Sequence, residues 1–308
     1  MLQRAQICVA ICTRNRRDSL AITLDSLAQV RCSRPWELLV VDNGSSDDTP
    51  EIVRSRVGSF PVEVRLVSEE RVGLSIARNR ALSETAAEVV IYLDDDVTCD
   101  ANLIEAHALA FDDPEVEATG GRIVPLFAES TPNWFRLDAL SGCGGPTARY
   151  DFGELHREIG VDVRILPLGA NFGLRRARAI AHGGFDETLG WGLKRIPGEE
   201  TQLLDRFVRA SARIVYVPKA LVHHRIGLER TSLRYYREWY EGLGRFEALR
   251  YRKPVGSAWL RRLARDVYRL SKWRLRYKFE RRPDRRLLAY RRLARARGRI
   301  RELMSIDE

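Results

Sequence analysis

Two apolar runs in the first hundred residues end in carboxylates. WELLVVD (Trp36–Asp42) stops at Asp42, and EVVIYLD (Glu88–Asp94) runs into Asp94, Asp95 and Asp96. Short apolar runs rich in β-branched residues read as buried strands. ICVAIC (Ile7–Cys12) is another such run, and VEVRLV (Val62–Val67) alternates in period two. Helix signals separate them. Leu20, Leu24 and Leu27 recur at helical spacing. NGSSDDT carries Ser and Asp side chains able to cap a helix from Pro50, and Gly73 to Ala87 has helix composition. Strands alternating with helices of this length predict a wound, mostly parallel α/β sheet. Ligands of such sheets sit at the carboxyl ends of strands. Asp42 and Asp94 to Asp96 are therefore expected along one edge.

Three adjacent carboxylates repel one another. At about 6 Å a pair costs about 0.7 kcal/mol in water and about 3 kcal/mol at an effective dielectric of 20. A divalent cation relieves this, and a small set of hard oxygen ligands suits Mg²⁺ or Mn²⁺. In extended chain, Asp94 and Asp96 converge on one ligand while Asp95 points to backbone or a basic partner.

After Asp113 the pattern loosens. Residues 125–162 read as loop, with SGCGG, Pro125, Pro132 and Pro146. A strand pair is expected at 162–168 and 171–175, a helix from Ala177, and another from about Gly198. RIVYVP reads as a late strand that ends before His223 and His224, and from Thr231 onward the pattern is helical only. The five cysteines form no CxxC pair or His/Cys cluster, which argues against disulfides or zinc and for a reducing cytosol. No run approaches 18 apolar residues, and the amino terminus lacks a signal-peptide layout.

Eight segments, in order, resemble those of the metal-dependent, inverting family 2 glycosyltransferases with the GT-A fold. They are ICTRNR, VVDNGSSDDT, RVGLSIARNRAL, IYLDDDV, LGANFGLRR, GFDETL, GEETQLL and VHHR, over roughly residues 6–225. The resemblance implies a UDP-, dTDP- or GDP-sugar donor, a Mn²⁺ or Mg²⁺ cofactor, and roles for particular residues. Asp42 would accept the imino N–H of the base. Thr13, Arg14 and Asn15 would close over base and ribose, with Arg14 standing where the family often has Tyr. Gly73, Arg78 and Asn79 would line the nucleotide site. Asp94 would contact the ribose or the metal's water shell, Asp95 would lie beside the nucleotide, and Asp96 would bind the metal. His224, or its neighbour His223, would be a further metal or diphosphate contact. Glu200 matches the general base, which in the family is usually Asp, and that departure makes Glu199 a rival. Gly169, Ala170 and Asn171 would adjoin the donor sugar, and Trp191 and Trp134 could stack on a sugar face.

The charge is split. Residues 225–308 hold 26 Lys and Arg against 10 Asp and Glu, and the remainder holds 26 against 32, within a total of +10. The expected organisation is a GT-A domain over 1–228, with a nucleotide half to about 115 and an acceptor half to 228. A basic amphipathic helical extension follows over 229–308. Its first helix would pack on the catalytic domain. Its second and third would either form a hairpin docked on the core or lie on an anionic bilayer, which would suit a lipid-linked acceptor. A cytoplasmic protein, peripheral on the inner membrane face, fits these features. No nucleic-acid motif is present. A sugar-phosphate nucleotidyltransferase is the rival enzyme, although the first loop, TRNRRD, lacks that class's glycines. A catalytically silent scaffold is the non-enzyme rival.

Overall fold

The computed structural model describes residues 5–140, 142–192, 195–250 and 257–305. Four parallel strands form its first half: β1 (Ile7–Thr13), β2 (Trp36–Asp42), β3 (Val64–Ser68) and β4 (Val89–Leu93), in the order β3-β2-β1-β4. All seven residues of β2 are buried, as a strand covered on both faces requires. Helices α1 (Arg17–Leu27), α2 (Thr49–Arg54) and α3 (Leu74–Glu84) make the crossovers. Leu20, Leu24 and Leu27 are the buried stripe of α1. Register aligns Thr13 with Asp42 and Ile11 with Leu93. The chain therefore delivers Thr13, Asp42 and Asp94 to one edge.

The second half is mixed. It contains β5 (Val97–Cys99), β6 (Val116–Phe127), β7 (Arg157–Glu158), β8 (Asn171–Arg175) and β9 (Arg213–Ile226). With them are α4 (Leu103–Ala110), α5 (Asn133–Leu140), α6 (Arg176–Ala181) and α7 (Glu199–Arg209). The sheet continues β4-β8-β6-β9-β5, and β7 also pairs with β9. β8 runs antiparallel between β4 and β6.

Three expectations change here. Residues 162–168 are not a strand, because both edges of β8 are already taken by β4 and β6, and Val163 makes only a lone bridge to Ile159. A helix, α5, stands within the expected loop. The late strand does not end at Pro218. The β6 pairing jumps from Gly121–Val217 to Arg122–Leu221, so Pro218 to Ala220 bulge out and β9 resumes through both histidines. Proline has no N–H for a ladder, and a bulge is where a strand tolerates it. His223 and His224 thus point to opposite faces. The five cysteines are free.

Three helices complete the chain: α8 (Leu233–Leu249), α9 (Ser257–Phe279) and α10 (Pro283–Met304). Ser232 caps α8 by accepting the Tyr235 N–H. Tyr236 and Tyr240 of α8 are buried with Phe135, Ile226 and Ala294. α10 lies against α8 so closely that a Cβ on Gly298 would strike the Glu241 carbonyl, and one on Gly244 the Arg295 carbonyl. α9 packs on α10, with Trp259 donating to the Leu303 carbonyl and Asp266 paired with Arg299 at 2.8 Å. Its other face is open: Leu260, Val267, Tyr268, Leu275 and Phe279 are exposed, Phe279 at 69%. No helix among the described residues is long and apolar enough to cross a membrane.

Gly298→Val should lower the melting temperature, because overpacking against fixed backbone costs about 1–3 kcal/mol and outweighs the helix-propensity gain over glycine. An unchanged melting curve would show that α8 and α10 are not held at this distance.

Candidate active site

A cleft of about 740 Å³ opens at the carboxyl edge of the sheet. β1 contributes Thr13, and the turn after β4 contributes all three aspartates. α7 begins with Glu199 and Glu200 at its rim, and α8 supplies Tyr235 and Trp239.

The aspartates sit in a turn between β4 and β5 rather than in extended chain. Asp96 is only 2% exposed. Its Oδ2 accepts from Arg230 Nη2 at 2.6 Å and Arg16 Nη2 at 2.8 Å. Its Oδ1 lies 3.1 Å from His224 Nε2. Burial opposes the charge on Asp96, but the Arg230 and Arg16 guanidinium groups outweigh it and hold the carboxyl below the usual range. His224 Nδ1 is 2.7 Å from the Thr147 carbonyl, which can only accept, so Nδ1 carries the proton. Nε2 accepts from Arg230 Nη1 at 3.1 Å. Asp96 Oδ1, beside it, is buried with no hydrogen-bond partner among the described residues. A backbone carbonyl on Nδ1 is the usual setting of a metal-bound imidazole, because it fixes the tautomer that leaves Nε2 free to ligate.

Asp94, Asp96 and His224 can each offer a ligand atom within 4.8 Å of the others. Two carboxylates and one imidazole suit a divalent cation such as Mn²⁺ or Mg²⁺, so the residues fit the implied cofactor. Asp95 turns to Thr13 Oγ1 at 2.7 Å and Arg16 Nε at 3.3 Å. Burial and then Asp96 push its carboxyl up to about 6, against Arg16.

Arg78 is the second charged centre. It is buried, pairs with Glu199 at 2.8 Å, donates to the Gly169 carbonyl at 3.2 Å and lies 3.7 Å from Asp94. Its guanidinium also rests near the rings of Tyr92, Phe172 and Phe185. Glu199 is thereby engaged, with its other oxygen 3.1 Å from the Gly198 N–H. Glu200 lines the cleft without such a partner among the described residues, and burial, then the neighbouring Glu199, push its carboxyl up to about 8 against Arg78.

Asp42 ends β2 next to Asn43, which lines the cleft, without itself being part of that lining. One oxygen accepts the Ser45 N–H at 3.3 Å, and Oδ1 is buried with no partner among the described residues. Arg14 lines the cleft, and Asn15 is spent on the Ser46 N–H at 2.7 Å. Gly73 gives its N–H to Asn43 Oδ1 at 2.8 Å while Val72 and Leu74 face the cleft. Gly169, Ala170 and Trp191 line it too, with Trp191 stacked on Tyr235 at 6.0 Å between ring centres.

Besides Asp42, Asn15 and Gly73, four more expected residues lie outside the cleft lining. Asn79 is clamped to the backbone N–H and carbonyl of Phe185. Asn171 is buried against His107 Nε2 at 2.9 Å and the Ala220 carbonyl at 2.8 Å. Burial lowers the His107 imidazole to about 4, so that pair is neutral packing. Trp134 packs with Phe135 and Tyr236. His223 faces away from His224. Conversely, Arg16, Arg230, Tyr235 and Trp239 join the cleft although nothing in their local sequence singles them out. Arg16 closes the ICTRNR segment, which was the one available signal.

The sequence model of Glycosyl transferase family 2 matches residues 8–177. The chain belongs to that family. It is 30% identical over 239 residues to the pre-mycofactocin glycosyltransferase of Mycobacterium tuberculosis, covering 74% of this chain and 44% of that protein. It is 32% identical over 101 residues to an uncharacterized glycosyltransferase, YfnE, of Bacillus subtilis, covering 33% of this chain and 26% of that one. The family 2 chain thus spans less than half the length of either relative. In three dimensions it resembles the mannosyltransferase PcManGT from Pyrobaculum calidifontis, in complex with GDP-Man and Mn²⁺. The TM-score is 0.59 and the identity 16%, over 98% of this chain and 88% of that one. It also resembles S. aureus TarS 1–349 in complex with UDP-GlcNAc, at TM-score 0.56 and 19% identity over 79% of this chain and 66% of that one. These likenesses establish the expected GT-A architecture with a helical carboxyl-terminal part.

Arg78→Met strands Glu199 as a buried, unpaired charge and should cost about 3–5 kcal/mol in chemical denaturation. Adding Glu199→Gln should restore part of that loss. A double variant no more stable than Arg78→Met would separate the two residues energetically.

Proposed function

We propose that this family 2 chain is an inverting glycosyltransferase that moves a sugar from a nucleoside diphosphate donor to an acceptor hydroxyl. The observation that carries this reading is one cleft holding both a cation-ligand triad (Asp94, Asp96, His224) and a basic carboxylate, Glu200. Solved structures of similar fold hold GDP-Man with Mn²⁺, and UDP-GlcNAc.

In this reading the unpaired Oδ1 of Asp42 accepts the imino N–H of the base, and Thr13 and Arg14 lie over the nucleoside. Asp94, Asp96 and His224 hold Mn²⁺ or Mg²⁺, which when bound supplies Lewis-acid neutralisation of the donor diphosphate. The backbone of Gly169 and Ala170 adjoins the donor sugar, and Trp191 offers a face to a sugar ring. Glu200 takes the proton of the acceptor hydroxyl. The oxygen then forms its bond to the anomeric carbon from the face opposite the diphosphate, and the broken C–O pair leaves with the diphosphate oxygen. Arg78 holds Glu199 out of this chemistry and so leaves Glu200 as the base. Residues 1–228 carry donor and acceptor sites, and the helical extension from 229 closes one wall.

The test is turnover with GDP-, UDP- and dTDP-sugars in Mn²⁺. A glycosyltransferase releases nucleoside diphosphate, a nucleotidyltransferase releases pyrophosphate from a nucleoside triphosphate, and a scaffold releases neither. Glu200→Gln should lower kcat by about 10²-fold or more while donor affinity holds, as expected for loss of a general base. Because the base must be ionised and its carboxyl is raised to about 8, kcat/KM should climb with pH and level near that value. A profile already level below pH 6 would remove Glu200 from the role.

A second proposal concerns the acceptor. We infer that α9 lies on the cytoplasmic face of an anionic bilayer, where a lipid-linked acceptor would be presented. Its open face carries Leu260, Val267, Tyr268, Leu275 and Phe279, bordered by Arg261, Arg265, Lys272 and Arg274. Apolar insertion with cations at the headgroups is the signature of an in-plane helix. Spacing alone puts Trp259, Leu263, Val267 and Leu270 on one apolar stripe, but of these Trp259, Leu263 and Leu270 are half-buried and only Val267 is exposed. The protein should pellet with phosphatidylglycerol vesicles at low salt, and Leu275→Glu with Phe279→Glu should release it. Equal pelleting of both proteins, or of neither, would dismiss the surface.

A further inference from the structure

Arg230 bridges two of the three groups that could ligate a cation. It comes from the 3-10 turn Leu228–Thr231, between β9 and α8. Its guanidinium is a fork: Nη2 donates to Asp96 Oδ2 at 2.6 Å and Nη1 to His224 Nε2 at 3.1 Å. Those are two of the three groups able to ligate a metal. A planar guanidinium matches two acceptors at this spacing in a way a point charge does not.

Neighbouring arginines are placed differently. Arg225 is tied into the scaffold through the Ser19 and Val97 carbonyls and the Thr23 hydroxyl. Arg16 bridges Asp95 and Asp96 but makes no contact with His224. Arg230 alone spans carboxylate and imidazole among the described residues. It lies outside the sheet, on a turn whose residues Leu228 and Glu229 are exposed, so it can leave without breaking a strand.

We propose that Arg230 is a built-in counter-ion that holds the metal site closed: its guanidinium and a divalent cation compete for Asp96 and His224, and Arg230 withdraws when the cation binds. This rests on the metal reading above and deepens it. The buried Asp96 charge is never left uncompensated, because one cation replaces another. The freed guanidinium remains at the cleft it already lines, on the turn leading to Tyr235 and Trp239, where an anionic diphosphate is its next partner. Donor binding and the position of the α8 wall are thereby linked through one side chain.

The experiment is Mn²⁺ binding by electron paramagnetic resonance, with no nucleotide present, on the full chain. R230Q should bind Mn²⁺ about tenfold more tightly than the parent protein, since two charge-assisted hydrogen bonds no longer have to be broken. R230K is the decisive variant. It keeps the charge, but one ammonium cannot span both acceptors as the fork does, so it too should bind Mn²⁺ more tightly. With Mn²⁺ present, R230Q should bind UDP and GDP more weakly. Tightening in R230Q but not R230K would reduce the effect to net charge and overturn the proposal. Equal Mn²⁺ affinity in all three proteins would overturn it while leaving the metal site intact. No Mn²⁺ binding in any of them would overturn the metal reading and this one together. Circular dichroism of both variants checks that each is folded.

Discussion

A carboxylate almost out of contact with water must be surrounded by positive charge or lose its own. Asp96 meets this condition through the guanidinium groups of Arg16 and Arg230, with the His224 ring against its other oxygen. Left unpaired in such a place, the charge would cost about 3–5 kcal/mol, as a buried ion pair does when one partner is removed. The first loop, the last strand and the turn into α8 are therefore tied to the end of β4. The cleft is shaped by that demand as much as by the sheet.

Arg78 solves a related problem on the other side. Two adjacent glutamates begin α7, and one of them is neutralised by a buried guanidinium that also reaches toward Asp94 and the Gly169 carbonyl. The other lines the cleft in a poorly solvated setting. Like neighbours are thus given unlike environments, which is how a fold assigns different chemistry to the same residue type. The rings of Tyr92, Phe172 and Phe185 keep water from the guanidinium and stiffen the arrangement.

The carboxyl-terminal helices are more than an appendage. α8 forms a wall of the cleft with Tyr235 and Trp239 and buries Tyr236 and Tyr240 on its other side. α10 seats against it through glycines, and α9 rides on α10 with its apolar residues turned outward. The excess of positive charge in this region thus has two destinations. Some arginines are used inward, as Arg299 is on Asp266 and Glu247, and others border the open face of α9.

What the amino-acid sequence determined by itself was the first half of the molecule. Apolar runs ended by Asp42 and Asp94, with helix periodicity between them, dictate a parallel sheet whose edge is acidic, because side-chain spacing and burial are local properties. The same logic located the helix that starts at Glu199 and the three terminal helices. Only the tertiary structure decided which of two glutamates is paired with a buried guanidinium and which of two histidines faces the cleft, since that depends on Arg78 and on a bulge at Pro218 that lets β9 continue. It also placed Asn79, Asn171 and Trp134 in packing contacts and Arg16 and Arg230 at the cleft. Those assignments depend on partners as far as 134 residues away in sequence, and no local pattern encodes a charge's distant counter-ion.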